Sequence, residues 1–163
     1  MGIFLNTVLA RSNCQNNEKY SDFIIDILGR NNPDYDFDNL DVIDGYIVLP
    51  IYDEKIDSIK IGINIANNLN VLTISIFSYD SDYVVFQLVD VPTTIRIVFN
   101  KDLALSYGCN LKDQNVDHLI NYVDGSISKD DIKRIINEEY IFAEDGLSKI
   151  LDLFHINFNE IVY

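Results

Sequence analysis

Between Val71 and Phe99 three apolar runs, Val71 to Tyr79, Tyr83 to Val89 and Thr94 to Phe99, are separated by Asp80-Ser81-Asp82 and Val91-Pro92-Thr93. A crossover between parallel strands needs a dozen or more residues, so connections this short restrict neighbouring strands to antiparallel pairing. Upstream, Ile59, Ile61, Ile63 and Ile65 alternate with Lys60, Gly62 and Asn64. This strict period of two predicts a strand between Asp57 and Ala66 with its isoleucines on one face. An apolar run from Tyr46 to Tyr52, interrupted by Pro50, precedes it, and Asn67-Asn68-Leu69-Asn70 reads as a turn. The expectation is an antiparallel meander of four to five strands from about residue 46 to residue 100.

Both flanks of the meander read as helical. From about Asn17 to Leu28, Tyr20, Phe23, Ile24, Ile27 and Leu28 recur at helical spacing, and Gly29 followed by Asn31-Asn32-Pro33 ends the segment. Toward the C-terminus, Val116, Leu119, Ile120 and Val123 share a face. Ser128 and Asp131 resemble a capping pair before Ile132, Ile135 and Ile136, and Leu147, Ile150, Leu151 and Phe154 form a further stripe. The pattern predicts an α+β fold, one domain over residues 1–163, with an N-terminal helix and C-terminal helices packed against the sheet. Gly62 and Pro92 leave both an open sheet and a closed barrel available. The opening MGIFLNTVLA lacks a preceding positive charge, is too short to span a bilayer and carries Asn6 where myristoylation needs Ser or Thr. It is read as the start of a strand or a core helix.

Composition narrows the chemistry. At 163 residues and 48% apolar, the chain is long enough to bury a core without staples. Its net charge of −14 opposes long-range approach to nucleic-acid phosphates or an anionic membrane surface and favours a cationic partner. Cys14 and Cys109 are too few for a disulfide scaffold and form no C-x-x-C pair, which fits a reducing, cytosolic setting. The two histidines, His118 and His155, have no ligand-spaced partner, and His155 beside Phe154 is read as structural. Ser58 and Ser148 lie in no G-x-S-x-G elbow, and no glycine-rich phosphate loop is present. No cofactor, metal or catalytic residue is assigned.

The acidic residues are concentrated. From Asn31 to Asp57 eight acids stand against one base, a net −7 and half of the total. Asp34, Asp36 and Asp38 alternate with Tyr35 and Phe37, and Asp41, Asp44 and Tyr46 follow. The D-x-D-x-D opening suggests a calcium loop, but Asn39 occupies the sixth position and Gly45 the twelfth, where a bidentate glutamate belongs. Acid-base catalysis needs carboxylates held in different environments, which consecutive loop aspartates do not provide. Solvated loop is the plain reading; a protein-binding surface is the functional one, because aromatics within an acidic rim supply contact area at low entropic cost. Asp80, Asp82 and Tyr83 repeat the combination at a hairpin tip.

A compact acidic chain carrying NNPDYDFDNLDVIDGY and no catalytic motif resembles the immunity proteins that accompany secreted bacterial toxins, including those of contact-dependent growth inhibition. The resemblance implies a cytoplasmic protein that binds the toxin domain of its own strain, in many cases a basic nuclease, and covers its active site or a nearby surface. The contact residues expected on this reading are Asp34, Tyr35, Asp36, Phe37, Asp38, Asp41, Asp44, Tyr46, Asp80, Asp82 and Tyr83. The alternatives are an acidic adaptor or interaction domain, acidic for solubility alone, and an enzyme with an unusual carboxylate site that would bind divalent cations.

Overall fold

The computed structural model describes residues 4–12, 22–23, 26, 41–52 and 57–162. In chain order it contains β1 (Leu5–Arg11), β2 (Val42–Ile43), β3 (Tyr46–Pro50), α1 (Ser58–Leu69), β4 (Thr73–Tyr79), β5 (Tyr83–Asp90), β6 (Thr93–Phe99), α2 (Lys101–Ser106), a 3-10 helix (Val116–Asn121), α3 (Lys129–Asn137), α4 (Ala143–Asp152) and α5 (Phe158–Ile161). The α+β class stands, and six strands form one open sheet in the order β2-β3-β1-β4-β5-β6. Every neighbouring pair is antiparallel. The short turns produce β4-β5-β6 as a meander, with Tyr79 opposite Tyr83 and Asp90 opposite Thr93.

The first half departs from a simple meander. The apolar opening is a strand, and β1 inserts between β3 and β4. Being antiparallel to both, it leaves β3 and β4 parallel to each other. They therefore need a crossover, and residues 58–69 supply it as a helix, giving a split β-α-β unit.

This corrects the strand expected from Asp57 to Ala66. Ser58, Ile61, Gly62, Ile65 and Ala66 recur at three and four residue steps, and all are buried. The alternation nevertheless contains the four-residue steps Ile61 to Ile65 and Ile59 to Ile63, which on a helix fall on two adjoining patches, so it does not exclude a helix. The end signals decide for the helix. Asp57 caps it by accepting from the backbone N–H of Ile59 at 3.0 Å and Lys60 at 3.3 Å, and Asn70 ends it in the left-handed conformation at φ 53. Small residues then let the helix approach the sheet. A Cβ on Gly62 would lie 1.9 Å from Ser75 Oγ. The Thr73 hydroxyl donates to the Gly62 carbonyl at 3.0 Å, and Ser58 Oγ donates to the Ile76 carbonyl at 3.3 Å.

The segment expected to form an N-terminal helix lies mostly outside the described residues; Asp22, Phe23 and Asp26 are helical, and Phe23 packs beside Val8 and Ile47. The C-terminal stripes pack against the sheet as expected, but Val116, Leu119 and Ile120 lie on a short 3-10 helix with Val123 beyond it, and Phe154 lies beyond the end of α4. Ser128 and Asp131 form a capping box, with the Asp131 N–H donating to Ser128 Oγ at 3.1 Å and the Ser128 N–H to Asp131 Oδ2 at 3.3 Å. Leu147, Ile150 and Leu151 are buried on α4.

Helices cover both faces of the sheet. On one, Leu9, Ile74, Phe86, Leu88, Ile97 and Phe99 pack against Leu119, Ile132, Leu147 and Leu151. On the other, α1 closes over Val8, Ile47 and Leu49, while Ile59, Tyr83, Val85, Val98 and Ala104 gather beneath α1 and α2. Burial from both sides explains why β5 is a nearly unbroken apolar run instead of an alternating one. The outer edge of β6 is protected. Arg96 and Gln114 exchange backbone hydrogen bonds at 2.9 Å, the Val98 N–H donates to Asp113 Oδ1, and the Asn115 amide donates to the Thr94 carbonyl.

A candidate acidic and aromatic binding surface

The described members of the expected contact set lie at opposite ends of the sheet. Asp34, Tyr35, Asp36, Phe37 and Asp38 lie outside the described residues. Asp41 and Asp44 are exposed at the β2-β3 hairpin, whose central residues Asp44 and Gly45 both have positive φ, at 50° and 83°. That is the two-residue turn matched to strand twist, and the Asp-Gly pair is its signature. Tyr46 begins β3 and is only 8% exposed, packed into the main core with its phenol pKa raised by burial against a smaller opposing influence from Arg11. Asp80, Asp82 and Tyr83 lie at the opposite end of the sheet. The first turn leads into β3 and the second leaves β4, and those strands run parallel. Tyr83 is also buried, 6% exposed, so neither described tyrosine of the expected set can act as an exposed anchor.

Two tyrosines outside that set are exposed beside the second turn. Tyr79, directly opposite Tyr83 and on the same face, is 41% exposed, and Tyr107, just after α2, is 51% exposed. Their ring centroids lie 4.9 Å apart, and the Tyr83 ring lies 5.9 Å from Tyr79 and 6.1 Å from Tyr107. Pairing across a three-residue loop could have pointed to Tyr79 from the sequence; Tyr107 arrives only through the packing of α2. The Tyr107 hydroxyl donates to Asp82 Oδ2 at 2.6 Å. This bond, reinforced by the Asp82 charge, raises the Tyr107 pKa because ionisation would lose the bond and place two negative charges together.

Two further chain segments are tied to this turn. Asp80 and Ser81 adopt left-handed conformations, and the Asp82 N–H closes the turn onto the Tyr79 carbonyl at 2.9 Å. The Asn100 amide donates to the Asp82 carbonyl at 2.9 Å, tying in the start of α2. The Ala143 N–H donates to the Ser81 carbonyl at 3.0 Å, and Ser81 Oγ donates to Glu144 Oε1 at 2.5 Å, docking the N-terminus of α4.

Asn100 also lines an open cleft of about 460 Å³ between α2 and the segment after α3. Val98, Leu103, Ile136 and Tyr140 supply its apolar walls, and Asp102, Glu138 and Glu139 its acidic groups. Lys101, also at the cleft, is paired with Asp113 at 2.6 Å. Lys149 binds Glu138 at 2.8 Å with its Nζ 4.7 Å from the Tyr140 ring centre. The Lys149 bond, with help from the Tyr140 hydroxyl, holds Glu138 below the usual carboxylate range. Ile141, at 87%, is the most exposed large apolar side chain among the described residues, and Phe142 beside it is exposed too.

The arrangement offers apolar contact, π faces and negative charge to a bound group. Among the described residues no three His, Cys, Asp or Glu side chains come together as metal ligands would, and no helix is long and apolar enough to cross a membrane. His118 and His155 are exposed, the latter in a left-handed turn after α4. Cys109 is half-buried near Tyr83 and Val98. Comparison with known proteins finds no matching family model, no similar curated protein and no similar solved structure.

Proposed function

We propose that this chain is a cytoplasmic immunity-type protein that binds and neutralises the toxin domain of a secreted protein, and that it engages a cationic surface of that domain, such as a nuclease cleft, through the end of the sheet around Asp82. One observation carries the reading: exposed Tyr79, Tyr107, Leu103, Ile141 and Phe142 are brought to the same end as Asp80, Asp82, Asp102 and Glu139. Large apolar side chains gathered on a polar surface mark interaction sites, and interface hot spots favour aromatic anchors. A charge of −14 adds steering toward a basic partner, with association as fast as about 10⁸ to 10⁹ M⁻¹s⁻¹ at low salt.

The test is co-purification with the protein encoded immediately upstream, followed by expression of that protein's C-terminal domain with and without this chain. A stable complex that abolishes toxicity is the expected result. A complex that leaves toxicity intact would point to an acidic adaptor. No complex, together with unimpaired growth of cells lacking this gene beside cells that deliver the upstream product, would sink the proposal.

A further inference from the structure

Among the described residues, the Tyr140 hydroxyl is shared between the Ile135 carbonyl at 2.9 Å and Glu138 Oε2 at 3.1 Å, and the Tyr107 hydroxyl donates to Asp82 Oδ2 at 2.6 Å. In the first pair, Lys149 completes the unit. Its ammonium lies over the Tyr140 ring at 4.7 Å and donates to the same Glu138 oxygen at 2.8 Å. Ring and carboxylate thus hold one cation together, through its attraction to the π face and a charge-assisted hydrogen bond. The second pair has the same connection between ring and acid and adds a second ring, Tyr79, with centroids 4.9 Å apart. No lysine or arginine among the described residues forms an ion pair with Asp82. A carboxylate accepts at about four lone-pair positions, so the Tyr107 hydroxyl leaves acceptor capacity on Asp82.

We infer that Tyr107, Tyr79 and Asp82 form a receptor for one basic side chain of a protein partner, the cation resting on a tyrosine face while donating to the Asp82 carboxylate. The choice of a toxin as that partner rests on the function proposed above; the chemistry of the receptor does not. A guanidinium suits the site well, because its plane can lie against a ring while its N–H fork reaches the acid. An uncharged side chain of the same shape keeps only ring contact and neutral hydrogen bonding and lacks the charge that strengthens both. Among the described residues the other acidic end offers no equivalent, since Asp41 and Asp44 are exposed while the Tyr46 ring is buried.

The experiment uses the intact chain with ¹³C-labelled tyrosine, titrated with N-acetyl-arginine amide and, separately, with its uncharged isostere N-acetyl-citrulline amide. The expected result is a saturable shift of the Tyr79 and Tyr107 ring signals with the arginine probe alone, about tenfold weaker in Asp82→Asn and in Tyr107→Leu. Tyr107→Phe, which keeps the ring and loses the hydroxyl, covers the case in which the leucine variant does not fold. Equal shifts with citrulline, unchanged affinity in Asp82→Asn, or equal shifts at Tyr46 and Tyr52 would overturn the inference. The two proposals fail separately. If the upstream protein is captured and silenced equally well by Asp82→Asn and Tyr107→Leu, the receptor falls and the immunity reading stands; if the arginine probe saturates these rings but no toxin is captured, the reverse holds.

Discussion

The Asp44-Gly45 turn and the Asp80-Ser81-Asp82 turn start from the same ingredients, aspartates next to a tyrosine that begins a strand, yet one presents charge alone and the other a composite surface. At the first, Tyr46 turns into the core and Asp41 and Asp44 are left in solvent. At the second, Tyr83 is likewise buried, but Tyr79 stacks on it and Tyr107 packs at a tilt against both, each in partial exposure, and Asn100 and Ala143 anchor two further segments to the turn. Among the described residues, acids near a strand start do not by themselves bring exposed rings together; convergence of segments does. That matters for the proposed interface because desolvated aromatic anchors contribute more to binding than solvated charges, at about 0 to 1 kcal/mol each.

The contrast between buried and exposed rings carries the largest expected effect. Tyr46→Ala and Tyr83→Ala should each destabilise the fold by about 3 to 5 kcal/mol in urea titrations, as for other large buried rings. Tyr79→Ala and Tyr107→Ala should cost about 1 kcal/mol or less, as expected for more exposed positions. A loss at Tyr79 equal to that at Tyr83 would erase the distinction.

Next comes binding. The double variant Tyr79→Ala/Tyr107→Ala should weaken the complex with the proposed toxin partner by about 2 kcal/mol or more, mostly through faster dissociation, whereas Asp41→Asn/Asp44→Asn should change it by less than about 0.5 kcal/mol. Surface plasmon resonance on both variants gives the comparison directly. Reversal of the two would move the interface to the other end of the sheet.

Charge alone should act more weakly and on a different rate. Asp80→Asn/Asp82→Asn should slow association and flatten its dependence on ionic strength more than the same change at Asp41 and Asp44. Equal slowing at both ends would mean that only total charge matters.

The smallest effect is a titration. Tyr107 ionises above its ordinary value near 10 because its hydroxyl donates to Asp82. Its folded pKa exceeds its unfolded one, so the stabilising contribution is fully present below about pH 10 and is lost as pH rises through the raised value. Absorbance of tyrosinate should show this phenol returning toward the ordinary range in Asp82→Asn. An unchanged titration would show that the hydroxyl does not depend on the acid.

Local features of this molecule are written in short spans of sequence. The pairing of β4, β5 and β6 follows from turns too short for any crossover, and the Ser128-Asp131 box needs only residues three apart. The Asp44-Gly45 hairpin belongs with them, since its turn type follows from two adjacent residues. Asp57 and Asn70 mark the ends of α1 just as locally, but the isoleucine alternation between them obscured the signal.

Tertiary structure decided the rest. Residues 58–69 became a helix because β1 took the place beside β4, leaving two parallel strands to be joined across it and small residues to sit against Ser75. The same insertion placed the two acidic turns at opposite ends of the sheet and let α2 bring Tyr107 to Asp82. An alternation at every second residue also contains helical four-residue steps, and which strands become neighbours depends on burying whole faces at once, so no local stretch of the chain carries that pairing.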